Sequence, residues 1–202
     1  MEIEESVRAR ELGGITDRIG RCLLIAISLA AMFFLLNVPQ QIGWLVFNEH
    51  DMGLFLALGL CATFLLIPAK PGHRGRLPWY DVIAATSGMA VGLYVFIYYP
   101  SIVNSLGDIA TERVFLGVVT ILLLAEASRR LVGWPLVIIA ACFVFYALFA
   151  YIFPGDFYGK GWSINRLATY LYLDANGIFG QALQVGVSIV VVFVIFGEVL
   201  YV

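Results

Sequence analysis

Residues 22–38 read CLLIAISLAAMFFLLNV, an apolar run without a charged residue, and this run decides the class of the chain. A helix rises about 1.5 Å per residue and the hydrocarbon core of a bilayer is about 30 Å thick, so a crossing helix needs a run of this kind. A cleaved signal peptide has a shorter apolar region and small residues at a cleavage site. Here the sequence continues as NVPQQIG at 37–43, which offers no such site and reads as a loop. The run is expected to stay in the membrane as a first span.

Five further stretches have the same character: residues 52–68, 82–99, 114–127, 131–153 and 177–202. Composition agrees, with 61% hydrophobic and 13% charged residues and a mean hydropathy of +0.93. Soluble domains carry about 25% charged residues. A formal net charge of −2 excludes the strongly basic surface that nucleic-acid binding requires. The expected fold is all-α, a polytopic transmembrane helix bundle of about six spans.

The basic residues orient this bundle. Arg8, Arg10, Arg18 and Arg21 precede the first span, Lys70, Arg74 and Arg76 separate the second from the third, and Arg129 and Arg130 separate the fourth from the fifth. Arg113, Lys160 and Arg166 fall on the opposite side. The excess places the N-terminus and the loop PAKPGHRGR (68–76) in the cytoplasm. Trp44, Trp79, Tyr80, Tyr98, Tyr99, Trp134 and Trp162 stand at predicted helix ends, where amphipathic rings favour the headgroup level.

Two segments are not spans. Residues 1–21 mix Ile3, Val7, Leu12 and Ile15 with charges of both signs, and Glu4 is spaced for an i,i+4 pair with Arg8. They predict a cytoplasmic arm with a short surface helix, broken at Gly13-Gly14. The stretch WSINRLATYLYLD (162–174) sets Ile164, Leu167 and Leu171 on one helical face, with Ser163 as N-cap. It predicts an interfacial helix on the outer side.

Small residues four apart let membrane helices approach closely. Ala84, Gly88 and Gly92 hold that register in the third span, and Gly53, Ala57 and Cys61 hold it in the second. Gly88 and Gly92 are the candidate helix-packing residues, against the alternative of chance spacing in a Gly- and Ala-rich chain. Polar groups inside spans are costly and face protein or water. Gln181, Gln184 and Ser188 form a polar stripe in the sixth span, expected to face a neighbouring helix, with a substrate path as the alternative. Glu198 is expected to reach the cytoplasmic interface. Glu126, followed by Arg129 and Arg130 at i+3 and i+4, is the candidate structural anchor at the cytoplasmic surface.

No catalytic or metal-ligating set emerges. The two histidines, His50 and His73, lie in predicted loops on opposite sides of the membrane, and Cys22, Cys61 and Cys142 sit in apolar runs without ligand spacing. No GxSxG, GxxxxGK[ST] or GxGxxG string occurs. The chain does not read as an enzyme.

From residue 78 the sequence resembles a known family. The strings PWYDVIAATSGMAVGLYVFIYY (78–99), GDIATERVFLGVVTILLLAEASRRLVGWPLVIIAACFVFYALF (107–149) and GWSINRLATYLYLDANGIFGQALQVGVSIVVVFVIFGEVL (161–200) resemble the N-terminal region of fused permeases of the tripartite ATP-independent periplasmic (TRAP) transporters. The resemblance is to those that work with a TAXI-type periplasmic substrate-binding protein. Residues 1–77 match in character alone.

The resemblance implies a cytoplasmic arm at 1–21, a four-span small-subunit-like module at 22–130, a linker span at 131–153, and the interfacial helix and first span of a large transport module at 154–202. It implies a permease component in a bacterial or archaeal inner membrane, importing small organic anions, often carboxylates, as the scaffold-like part. Its partners would be the TAXI-type binding protein, the large transport module and the lipid bilayer, with no nucleic acid. The outer loops at 104–111 and 156–163 would be the places for the binding protein to touch. No cofactor is implied, and the coupling ion, Na+ or H+, would bind outside this chain. Fused permeases run several hundred residues further, and the half-helix hairpins that hold substrate have no counterpart here. The chain is therefore expected to be a fragment, a truncated product or one half of a split permease. The alternative is a membrane-embedded structural or assembly protein.

Overall fold

A computed structural model describes residues 15–43, 47–69, 77–103, 110–174 and 176–190, together with 193, 196 and 197. These residues are helical, with no strand among them. The helices are α1 (Ile15–Leu35), α2 (Val38–Gln41), α3 (Asn48–Leu66), α4 (Trp79–Val103), α5 (Thr111–Leu131), α6 (Trp134–Phe149), α7 (Ile164–Leu173) and α8 (Gln181–Val185). Short 3-10 turns at Ala150–Ile152 and Gly155–Phe157 lead from α6 to α7, and α8 runs into a π-helical turn at Gly186–Val190.

Four helices are long and apolar enough to cross a membrane, over Arg18–Leu35, Glu49–Leu66, Trp79–Ile102 and Trp134–Ile152. These correspond to the first, second, third and fifth predicted spans. The fourth, expected at 114–127, is the core of the longer α5, whose ends carry Glu112, Arg113, Glu126, Arg129 and Arg130. Those five charges remove it from the apolar set. The sixth, expected to be continuous over 177–202, opens instead with turns at 176–180 and only then becomes helical. Its last residues, Glu198 included, lie outside the described residues.

Local chemistry sets the boundaries. α1 begins at Ile15, inside the stretch read as an arm, and residues 1–14 lie outside the described residues. The helix ends before Asn37, whose left-handed backbone (φ 51°) is one that asparagine tolerates. The segment 37–43, expected as a loop, winds into α2 because Pro39 suits a first helical turn. His50, also expected in a loop, lies in the first turn of α3, where the Phe47 N–H donates to its Nδ1 at 3.2 Å and its own N–H donates to the Phe47 carbonyl at 3.0 Å. This reciprocal cap has an imidazole in the position usually taken by Glu or Gln. α5 and α6 are separated at Gly133, whose φ of 108° suits glycine.

The core lies where α3 and α4 cross. Met52, Leu56, Leu60 and Phe64 line one face of α3 at four-residue spacing, and Val91, Val95, Tyr99 and Ile102 line α4. Tyr172, Leu173 and Phe179 complete the cluster from the far end of the chain. Tyr99, expected at an interface, is one of the buried members, whereas Trp79, Tyr98 and Trp134 are exposed. α1 and α6 stand at the margin, with 11% and 6% of their apolar stretches buried. Cys22 and Cys142 face outward on them, and Cys61 is buried.

The amphipathic segment 162–174 forms α7 with Ser163 at the N-cap, although no side-chain cap bond is made. It penetrates further than a surface helix. Ile164 is exposed, but Leu167, Ala168, Thr169, Tyr172 and Leu173 are buried. The Tyr172 hydroxyl donates to the Val91 carbonyl, halfway along α4, at 3.0 Å. Gly117 makes this approach possible, because a Cβ there would stand 2.6 Å from the Ala168 carbonyl oxygen.

Candidate functional site

Helix ends leave unsatisfied backbone groups and a dipole, so charged side chains gather there. At one end of the bundle α3 finishes, α4 begins and α5 finishes together. Arg130, in the last turn of α5, joins all three. Its Nη2 bonds Asp81 Oδ1 at 2.7 Å, its Nη1 donates to the Ile67 carbonyl at 2.9 Å, and its Nε donates to Glu126 Oε1 at 2.8 Å. Its guanidinium also stands 4.9 Å from the centre of the Phe64 ring. The Arg130 and Asp81 side chains are 3% and 0% exposed. Ile67 is the C-cap of α3, so Arg130 satisfies one of the carbonyls that the helix leaves open.

Glu126 is the second hub. Arg129 grips it in a fork, Nε to Oε2 at 2.7 Å and Nη2 to Oε1 at 2.7 Å. Arg129 also lies 5.7 Å from the Trp134 ring, at the start of α6. Glu126, Arg129 and Arg130 are thus brought together, and Asp81 joins them. Sequence reasoning passed over Asp81. An acid just inside the first turn of a span, next to a basic loop, was the available signal.

The helix-packing residues meet one another. A Cβ on Gly92 would stand 2.5 Å from the Ala57 nitrogen and 2.5 Å from the Gly53 carbonyl oxygen. A Cβ on Gly53 would stand 3.0 Å from the Gly92 oxygen, and one on Gly88 would stand 2.7 Å from Leu60 Cβ. The two small-residue registers therefore face each other across the α3–α4 crossing, with backbone against backbone.

The polar stripe divides. Gln184 and Ser188 line a cleft of about 240 Å³ with Asn37, Asp51 and the apolar side chains of α1 and α3. Gln181 does not line it, and all three residues of the stripe are exposed. Gln181 and Gln184 both lie in α8, before the π turn that carries Ser188. The Ser188 hydroxyl donates to the Gln184 carbonyl at 2.7 Å, and Asp51 Oδ1 is buried without a hydrogen-bond partner among the described residues. Asn37 was read as part of a loop and Asp51 was passed over, just ahead of the second predicted span, so their convergence on Gln184 and Ser188 was not foreseen. A carboxylate one turn inside an apolar helix was the signal for Asp51.

Among the described residues, no three His, Cys, Asp or Glu side chains are grouped to hold a metal ion. Comparison of the chain with protein-family models, curated proteins and solved structures gave no match.

Proposed function

We propose that this chain is the scaffold-like N-terminal part of a TRAP-type secondary transporter permease, seated in a bacterial or archaeal inner membrane. The observation that carries the reading is the contrast between a close-packed centre and uncovered flanks. α3, α4, α5 and α7 are joined by backbone contact at Gly92 and Gly117 and tied by Arg130 and Tyr172. Few residues of α1 and α6 are buried, and most of both helices is exposed. A rigid centre with open flanks is suited to hold a moving transport module against lipid. The resemblance of residues 78–202 to fused TRAP permeases supplies the family.

In this reading the N-terminus and the Arg130 end face the cytoplasm, following the excess of basic residues there. α5 crosses as a span in spite of its charges, and the interfacial helix and the span after Gly177 (154–202) open the transport module, which makes six crossings. The complete system takes small organic anions, often carboxylates, from a TAXI-type binding protein, driven by an ion gradient. Sites of secondary transporters lie where broken helices meet near the midplane. The test is co-purification in mild detergent with a large transport module and a TAXI-type binding protein. A stoichiometric complex with the large module supports the reading. A chain that purifies alone and binds neither partner defeats it in favour of a membrane-embedded structural protein.

A further inference from the structure

We propose that the cleft between α1, α3 and the π turn is a binding site for a monovalent alkali cation, with Asp51 as its charged ligand. Three separate elements supply its polar wall. Asn37 comes from the left-handed residue between α1 and α2, Asp51 from the first turns of α3, and Gln184 and Ser188 from α8 and the π turn. Among the described residues the remaining lining is apolar: Ala31, Phe34, Leu35, Met52, Phe55 and Val187.

The donor chemistry selects the ligand. A carboxylate oxygen, two side-chain amide carbonyls and a hydroxyl are hard oxygen donors, which suit alkali and alkaline-earth ions and not the metals that bind thiolate or imidazole. Ser188 already donates its proton to the backbone carbonyl of Gln184, so the hydroxyl offers lone pairs to the cleft. Asp51 Oδ1, buried and accepting no hydrogen bond among the described residues, is the acceptor that lacks a donor. A buried acceptor of this kind is costly, more so when it carries charge. One carboxylate balances one positive charge, so a divalent ion would leave the site charged in apolar surroundings. Glu49 and His50 are adjacent in sequence but do not line the cleft, and His50 Nδ1 is engaged by the Phe47 N–H. A cleft of about 240 Å³ lets the ion keep part of its water. The π turn fits as well, since such turns recur at functional sites.

The site does not depend on the transporter reading, and its test involves no transport. The full chain is purified in mild detergent, and its thermal unfolding midpoint is followed in NaCl, KCl or LiCl against choline chloride at equal ionic strength. Binding to the folded state alone raises the midpoint with cation concentration. The expected result is a saturating rise with at least one alkali cation and none with choline. Asp51→Asn keeps the size, removes the charge and is expected to abolish the response. Ser188→Ala is expected to shift the response to several-fold higher concentration, and it carries the test if Asp51→Asn fails to fold. Equal midpoints in all four salts overturn the proposal. So does an undiminished response in Asp51→Asn, which would put the cation elsewhere. A midpoint that follows pH but not the cation would assign a proton to Asp51 instead.

Discussion

Arg130 and Arg129 are adjacent in sequence and bind the same carboxylate, yet their surroundings give them different weights. Arg130 and Asp81 have side chains 3% and 0% exposed, so removing Arg130 takes from Asp81 a charged partner that water does not replace. Breaking a buried pair in this way costs about 3–5 kcal/mol. Arg130→Ala is therefore expected to cut the denaturation midpoint of the detergent-solubilised chain sharply. The double variant Arg130→Met, Asp81→Leu should recover much of the loss, because both members of the buried pair are removed together and Glu126 keeps Arg129. Arg129 and Glu126 are 26% and 34% exposed, and pairs of this kind contribute about 0–1 kcal/mol. Arg129→Ala should move the midpoint little. Equal losses for Arg129→Ala and Arg130→Ala would show that burial does not separate the two. The sequence made Glu126, Arg129 and Arg130 readable as a unit because they share one helix. Asp81 was not readable, since its pairing with Arg130 depends on how the ends of two helices meet.

The α3–α4 crossing sets the requirement at the scale of elements. Two helices in lipid gain nothing from expelling water, so their contact rests on close packing. Gly92 has backbone atoms of both Gly53 and Ala57 within 2.5 Å of where its Cβ would stand, and backbone cannot yield as a side-chain tip can. Gly92→Ala is expected to separate the helices and cost about 1–3 kcal/mol, in the range of overpacked cores. Gly59, on the same α3, has nothing within 4 Å of its added Cβ. There Gly59→Ala should be neutral or stabilising by up to about 1 kcal/mol through helix propensity. Parallel denaturation series of the two variants check this, and a larger loss at Gly59 would reverse the assignment of the packing face. Four-residue spacing made both registers legible before any fold was known. The seating of α7 was not, because its periodicity defines a buried face but not a depth. That depth is set by Gly117, on a different helix, and by the Tyr172 hydroxyl reaching Val91. Tyr172→Phe should cost about 1 kcal/mol, the net worth of a typical hydrogen bond, with the fold retained.

For the whole molecule, the number of crossings turns on α5. Its composition counts against it, with charges at both ends, while its neighbours count in its favour. Arg129, Arg130, Asp81 and Glu126 neutralise one another at one end, and residues 114–125 between the charged ends contain no charge. Gly117, Thr120 and Ala127 are buried against other helices, and the Thr120 hydroxyl bonds back to the Leu116 carbonyl. A hydropathy reading of one helix counts these charges as if each faced lipid alone, so it underrates a segment whose charges are paired across the bundle. If α5 crosses, as proposed, its two ends lie on opposite sides of the membrane. Thr111 and Leu131 are both exposed, which makes them suitable for labelling. In a background with Cys22, Cys61 and Cys142 changed to Ala, a membrane-impermeant maleimide applied to intact bacterial spheroplasts should label Thr111→Cys. It should reach Leu131→Cys only after the membrane is opened. The reverse pattern would keep the crossing and invert the orientation, and labelling of both from outside would place both ends of α5 on one face and remove it from the spans.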